Sequence, residues 1–424
     1  MKIFNLLLNT VSTKFRKYTL KQADILFLGD PNYIKKLHNK KIASEYFEPI
    51  QDELTKSKIS HNEIIFPGHK MSDIKKLNSK QVPLEYLITG QDFFKFSSLD
   101  KKEFKAYLSL FQYSKIHKYT LNFFYNLGKK ILSRIKPKII ILACSYTLKY
   151  SWVLAAKELG ITTIEVQHGN INSDSKGYFK KGNKNYQAPD YFISFSDTDK
   201  MTLLKDGIFT SNQIVSLGSP RYDFLNSYNK RIDVSRYGIQ NKKIIFWPTQ
   251  PIRFLNGEGE KIINCVFKSL PKLTGYHLII KMHPKETDLD QQFYKKIAKI
   301  HNAQNFTLLS HDDELTYDCI STSSVVILKN TTVGIESILM GKPVINFNIS
   351  KGLPLTPFND LKSKLLAKNS SQLEAAIKLS QKNSYKKVFL EERFKFINKY
   401  FTNLGNSSEK IVMFIEEKLN KLNQ

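Results

Sequence analysis

Apolar residues alternate along the chain between two patterns. Short runs rich in β-branched residues, each closed by a polar turn, read as buried strands. Between them, apolar residues return every three or four positions, as on one face of a helix. Residues 23–30 (ADILFLGD) form the first run and 63–67 (EIIFP) the second, which leads into Gly68-His69. From about 100 to 135 the spacing is helical, with Phe104, Leu108, Phe111, Leu121, Phe124 and Leu127 on apolar faces. Residues 137–143 (PKIIILA), 151–159 and 161–166 (ITTIEV) then give a strand, a short helix closed by Gly160, and another strand. That spacing predicts parallel pairing through a right-handed crossover. The second of these strands runs into Gln167-His168-Gly169-Asn170 and a polar, Gly-rich loop to about 187; strands at 190–195 and 214–218 follow.

After residue 241 the pattern starts again. Strands are expected at 243–247, 277–282, 306–309, 325–328 and 344–347, alternating with helices, and the tail from about 372 is helical. Gly405-Asn406 separates its last two helices. Length agrees, since 424 residues exceed one ordinary core. The expectation is an α/β protein of two Rossmann-like domains, the N-terminal one over 1–224 and the second over 242–371. Residues 225–241, polar with several Asn, Lys and Arg, read as the linker. The helices of 372–424 are expected to pack back on the N-terminal domain.

Composition adds less than pattern. Hydrophobic content of 41% is ample for packed cores. Cys144, Cys265 and Cys319 lie far apart with no CxxC, which reads as reduced thiols in a cytoplasmic protein without structural zinc. The formal charge of +27 implies an anionic partner, but the lysines are spread along the chain rather than gathered into one tract. No nucleic-acid-binding motif accompanies them, so nucleic acid is not expected as a partner. No apolar run is long enough to cross a bilayer. Residues 1–17 mix apolar and basic positions as a helix lying on a membrane surface would, or as a first helix packed on the protein body. They make a poor signal peptide.

Three loops at carboxyl ends of expected strands hold polar groups: Thr249-Gln250; Lys281 with His283-Pro284-Lys285; and Asn330-Thr331-Thr332. In one doubly wound sheet they would converge on a single edge. Imidazole, ammonium, hydroxyls and a helix start are what a nucleotide's phosphates need. Thr332 is placed to cap the helix that follows, and Glu336, one turn inside, to meet a ribose. The plainer reading makes Thr332 only a cap and Glu336 only a balance for the helix dipole.

KMHP (281–284) and KNTTVGIESILMGKPVIN (329–346) together resemble the donor half of bacterial surface-polysaccharide glycosyltransferases of the GT-B fold. VQHGN (166–170) and LGSPRYDFL (217–225) are similar to capsule and lipopolysaccharide enzymes of that group. Relatives with an HP motif and paired hydroxyls include polysialyltransferase-like, Kdo-transferase-like and CDP-glycerol glycerophosphotransferase-like proteins. The resemblance covers roughly 137–348 and implies two Rossmann-like domains facing a central cleft. It also implies a CMP- or UDP-sugar donor and a surface-glycan or lipid-linked acceptor. His283, Thr331 and Thr332 would hold the donor phosphate, and Glu336 the ribose. Two departures stand out: Thr-Thr replaces the usual Ser-Ser, and the acidic-acidic-Gly motif that supplies the base in polysialyltransferase-like enzymes is missing from the first half.

Transfer needs a base for the acceptor's proton. His168 leads, since it ends a strand, against the reading that its ring merely shapes the loop. Asp174 is second, then Asp30 and His69. No Asp-x-Asp stands in a suitable place, so the reaction is expected to need neither metal nor cofactor, the nucleotide sugar being a substrate. An anionic inner membrane face would suit the charge and a lipid-linked acceptor. Two alternatives remain: a UDP-N-acetylglucosamine 2-epimerase-like isomerase and a CDP-polyol phosphotransferase.

Overall fold

The period-two runs become parallel strands. The computed structural model describes residues 20–30, 34–36, 42–66, 80–87, 115–171, 177–179, 186–251, 257–309, 315–329, 331–347, 349 and 360–424. His69, Asp174, Asn330 and residues 1–17 lie outside the described residues, as does most of the loop expected after residue 170. The chain divides into two compact units, Met1–Asp223 with Lys399–Gln424, and Phe224–Asn398.

Unit 1 contains β1 (Ile25–Gly29), a small hairpin of β2 (Ile34–Lys36) and β3 (Ile42–Ser44), α1 (Glu48–Lys56), β4 (His61–Ile65) and β5 (Gln81–Pro83). It continues with α2 (Lys115–Ile135), β6 (Ile139–Leu142), α3 (Tyr150–Glu158), β7 (Thr162–Val166), β8 (Tyr191–Ser194), α4 (Asp197–Asp206) and β9 (Ile214–Ser216). Among the described residues its main sheet runs β5-β4-β1-β6-β7-β8-β9, with every pairing parallel. Strand alternation sends Leu26, Leu28, Ile140 and Leu142 to one face, against Leu127 and Ile131 of α2 and Trp152 of α3. Ile25, Phe27, Ile139, Ile141 and Ile164 go to the other. With both faces covered, these strands read as near-continuous apolar runs. Each such side chain contributes about 1.5–3 kcal/mol on burial.

Unit 2 contains β10 (Lys243–Pro248), α5 (Gly259–Ser269), β11 (Tyr276–Lys281), α6 (Asp288–Ile300), β12 (Phe306–Leu309), α7 (Thr316–Thr322), β13 (Val325–Leu328), α8 (Val333–Leu339), β14 (Val344–Phe347), β15 (Leu365–Ala367) and α9 (Ser370–Ser380). Its sheet runs β12-β11-β10-β13-β14-β15, again all parallel. Ile245, Trp247, Ile280, Ile327 and Phe347 pack with Ile263, Val266 and Phe267 of α5 and with Leu373 and Ile377 of α9. Residues 225–241 group with this unit and include a short 3-10 turn, Val234–Tyr237, capped by Asp233.

The helical tail is shared. Helix α10 (Asn383–Tyr400) belongs to unit 2 up to Asn398, and α11 (Ser407–Leu422) to unit 1. Ile411, Val412, Ile415 and Leu419 of α11 join Phe47, Ile50 and Leu54 in the core under the first sheet. Among the described residues no helix is long and apolar enough to cross a membrane.

Candidate functional site

In unit 2, β10 stands between β11 and β13, so the loops after all three leave one carboxyl edge of the sheet. The strand order reverses between β10 and β13, the place where ligands settle in sheets of this type. Thr249 is buried just beyond β10, where its N–H donates to Lys281 O at 3.0 Å. Glu286 gathers the loop after β11. Its Oε2 accepts the His283 N–H at 2.6 Å and the Thr249 hydroxyl, and its Oε1 accepts the Tyr294 hydroxyl at 2.8 Å. Burial raises the Glu286 pKa against the pull of these donors.

His283 itself is half-buried, and its Nδ1 accepts the Lys285 N–H at 3.1 Å. A ring nitrogen that accepts carries no proton, so the proton of the neutral ring sits on Nε2, which becomes a donor. Burial lowers the His283 pKa, and the Lys285 and Lys281 charges lower it further, keeping the ring neutral at pH 7. Lys281 is buried at the end of β11, Gln250 is half-buried and Pro284 exposed.

Thr331 and Thr332 lie beyond β13 on the same sheet edge. Thr332 opens α8 without making a side-chain capping bond, contrary to the expectation of a cap; Thr331 Oγ1 accepts the Val333 N–H at 3.4 Å. Glu336 is 2% exposed, its carboxylate enclosed by the unit. Lys329, at the strand reversal, ion-pairs with Glu258 and lines a small pocket with Trp247, Gln250, Leu328 and Phe347.

In unit 1, His168 stands just beyond the carboxyl end of β7. Cys144, past β6, turns the chain at φ +57, and the Ser145 N–H then donates to Glu165 Oε1 at 3.1 Å. Glu165 is fully buried on β7, and the Tyr178 hydroxyl donates to the same Oε1 at 2.9 Å. The Tyr178 oxygen also lies 3.2 Å from His168 Nδ1, and the Tyr146 hydroxyl 3.3 Å from His168 Nε2. Gly177 is needed beside them, since a Cβ there would meet the Tyr146 ring at 2.3 Å. Gln167 fixes the loop by donating to Gly169 O and Asp199 and accepting the Phe195 N–H. Burial pushes the His168 pKa down to about 4; Lys149 adds to this and Asp30 opposes it. Lys149 is buried, donates to Ala143 O at 3.1 Å and stands 3.9 Å from Asp30.

A family model described as CDP-Glycerol:Poly(glycerophosphate) glycerophosphotransferase matches residues 152–417, more than half of the chain. The chain belongs to this family. It is thus a transferase of nucleotide-activated sugars or polyols, matching the third of the relatives that its motifs resemble. Among solved structures it is similar to UDP-GlcNAc 2-epimerase from Neisseria meningitidis bound to UDP-GlcNAc, at 15% identity and TM-score 0.62, over 94% of this chain and 99% of that one. A putative UDP-N-acetylglucosamine 2-epimerase from Listeria monocytogenes is similar at 13% identity and TM-score 0.65, over 94% and 97%. So is the wall teichoic acid polymerase TagF, at 13% identity and TM-score 0.54, over 100% and 95%. These likenesses show the fold, which is GT-B. Comparison with curated proteins finds no match.

For this family member, pattern reading missed Glu286, Tyr178, Glu165 and Lys149. Glu286 had a signal, lying three residues after His283 where a carboxylate reaches back to a loop N–H. Glu165 had one too: a carboxylate inside a strand buried on both faces requires partners. Tyr178 and Lys149 had none. Among the described residues no group of three or more His, Cys, Asp or Glu side chains is arranged to hold a metal.

Proposed function

We propose that this protein moves a polyol phosphate from a CDP-linked donor onto a growing surface polymer or lipid-linked glycan, without a bound metal. The observation that carries the reading is the order of β11, β10 and β13, with Thr249, His283, Thr331 and Thr332 beyond one edge. There the Nε2–H of His283 donates to a donor phosphate oxygen, and the two threonine hydroxyls and Lys281 meet the remaining charge. Gln250, Pro284, Asn330 and Glu336 belong to the same donor region, Glu336 on the ribose side. In unit 1, His168 takes the acceptor's proton, with Asp174 the second candidate. The acceptor oxygen bonds to the β-phosphorus, the bond to the bridging oxygen breaks, and CMP leaves. The formal charge of +27 supports an anionic acceptor, and with it a cytoplasmic protein working peripherally at the inner membrane face.

A second reading keeps the same donor edge and moves a sugar from a CMP- or UDP-sugar to a capsule- or lipopolysaccharide-type acceptor. It is favoured by the motif resemblance of 281–284 and 329–346. Nucleotide release, with and without a lipid-linked polymer acceptor, separates the readings. CDP-glycerol as donor should give acceptor-dependent CMP, and His283→Ala should lower that rate at least about 100-fold without moving the melting temperature. Release from a sugar nucleotide alone supports the second reading. Epimerised UDP-GlcNAc formed with no acceptor present would defeat both, as would full activity of His283→Ala.

A further inference from the structure

Resting on the assignment of His168 as base, we propose that Tyr178, held by Glu165, is a positioning residue that fixes His168 with its proton on Nδ1 and leaves Nε2 to accept the proton. The argument is one of proton counting. Glu165 Oε1 already accepts the Ser145 N–H at 3.1 Å, so it faces Tyr178 as an acceptor as well. The phenol has one proton, and at 2.9 Å it goes to Glu165. The Tyr178 oxygen can then only accept from the imidazole, and at 3.2 Å its neighbour is Nδ1. His168 Nδ1 is therefore the protonated nitrogen, and Nε2, beside the Tyr146 hydroxyl at 3.3 Å, carries the lone pair. The direction survives titration of Glu165, whose Oε2 has no partner among the described residues and is where a proton would reside.

The geometry is rigid as well as directional. Tyr178 is buried, its ring edge-on to Tyr146 at 5.2 Å and to Phe192 at 5.3 Å, and Glu165 is locked in β7. A third group that orients the base and selects its tautomer is a recurring device in acid–base sites. Here a phenol stands between the carboxylate and the imidazole. Among the described residues, the charged and titratable groups around the ring include Tyr178, Tyr146, Lys149, Asp30, Cys144 and Glu165. His283 shows the opposite choice, because Lys285 donates to its Nδ1 and the proton is left on Nε2. One histidine is set to accept and the other to donate.

The test uses the full chain labelled with 15N-histidine. In wild type, the His168 ring signals should show a protonated Nδ1 and a bare Nε2. Tyr178→Phe should shift them toward the other tautomer, lower kcat about 10- to 100-fold with the donor KM held, and change the acid limb of the pH–rate profile. Glu165→Gln, which keeps an accepting oxygen, should preserve the wild-type tautomer, whereas Glu165→Leu should behave like Tyr178→Phe. If Tyr178→Phe melts early, Glu165→Leu at a temperature where it is folded gives the same reading. Unchanged ring signals and unchanged kcat in these variants overturn the proposal. Full activity of His168→Ala removes the base assignment instead, and the ring signals still report whether Tyr178 sets the tautomer.

Discussion

His168 takes its electrostatic character from its neighbours. Burial does most to push its pKa to about 4, and the Lys149 charge adds to this. In its proposed role as base it is already unprotonated at pH 6, so the acid limb of kcat/KM should sit near pH 4 to 5 rather than near the ordinary value of about 6.5. Lys149→Met, which keeps the packing and removes the positive neighbour, should move the limb upward; a limb that stays put would show that Lys149 does not act on the ring. His168 was legible because it ends a strand in a polar turn. Glu165 carried only the weaker signal of a carboxylate inside an apolar strand, against an alternation that pairs it with Thr163 and suggests a solvent-facing side. In a sheet covered on both faces that side is interior, and Thr163 and Glu165 are both fully buried.

At the scale of elements, the segment 217–225 does more than end the first half of the chain. Asp223 accepts the N–H groups of Gly405, Ser407 and Ser408 and the Ser408 hydroxyl, so it serves the start of α11 from far away in sequence. Arg221, two residues earlier, pairs with Glu45 at 3.1 Å. Asp223→Ala should cost about 2 kcal/mol in urea unfolding, while Asp223→Asn, which keeps an acceptor, should cost less. Long strands such as β10 and β11 announced themselves through apolar runs. β5 and β15, three residues each, did not: so short a segment has no period to detect, and Leu366 in β15 is exposed. Thr332 failed as a cap for a local reason, since its backbone is already helical where a capping residue is usually extended.

At the scale of the molecule, unit 1 stores acids that resist ionising. Burial raises Glu63 from 4.5 and Asp199 from 3.8, each to about 7. The folded state then binds more protons than the unfolded one between those ordinary values and pH 7, so stability contributed by these groups falls as pH rises through that window. His168, shifted the other way, works against this below about 6.5. The melting temperature should therefore decline between pH 6.5 and 7.5, and Glu63→Gln or Asp199→Asn should flatten the slope; an unchanged slope in both would exclude these groups. The repeated parallel-sheet plan was readable from strand spacing alone. The tail of 372–424 was expected to pack back on the N-terminal domain as one piece. Its division, with α10 up to Asn398 in unit 2 and α11 in unit 1, was not readable, because it depends on contacts between segments hundreds of residues apart.

One consequence follows from the way α11 completes the hydrophobic layer beneath the first sheet. During translation, the half begun first is the last to be finished. The His168 turn is synthesised early but lacks a closed scaffold until the ribosome has released the whole second unit. Premature termination after Tyr400 would leave nascent product with an intact second unit and an open, aggregation-prone first unit.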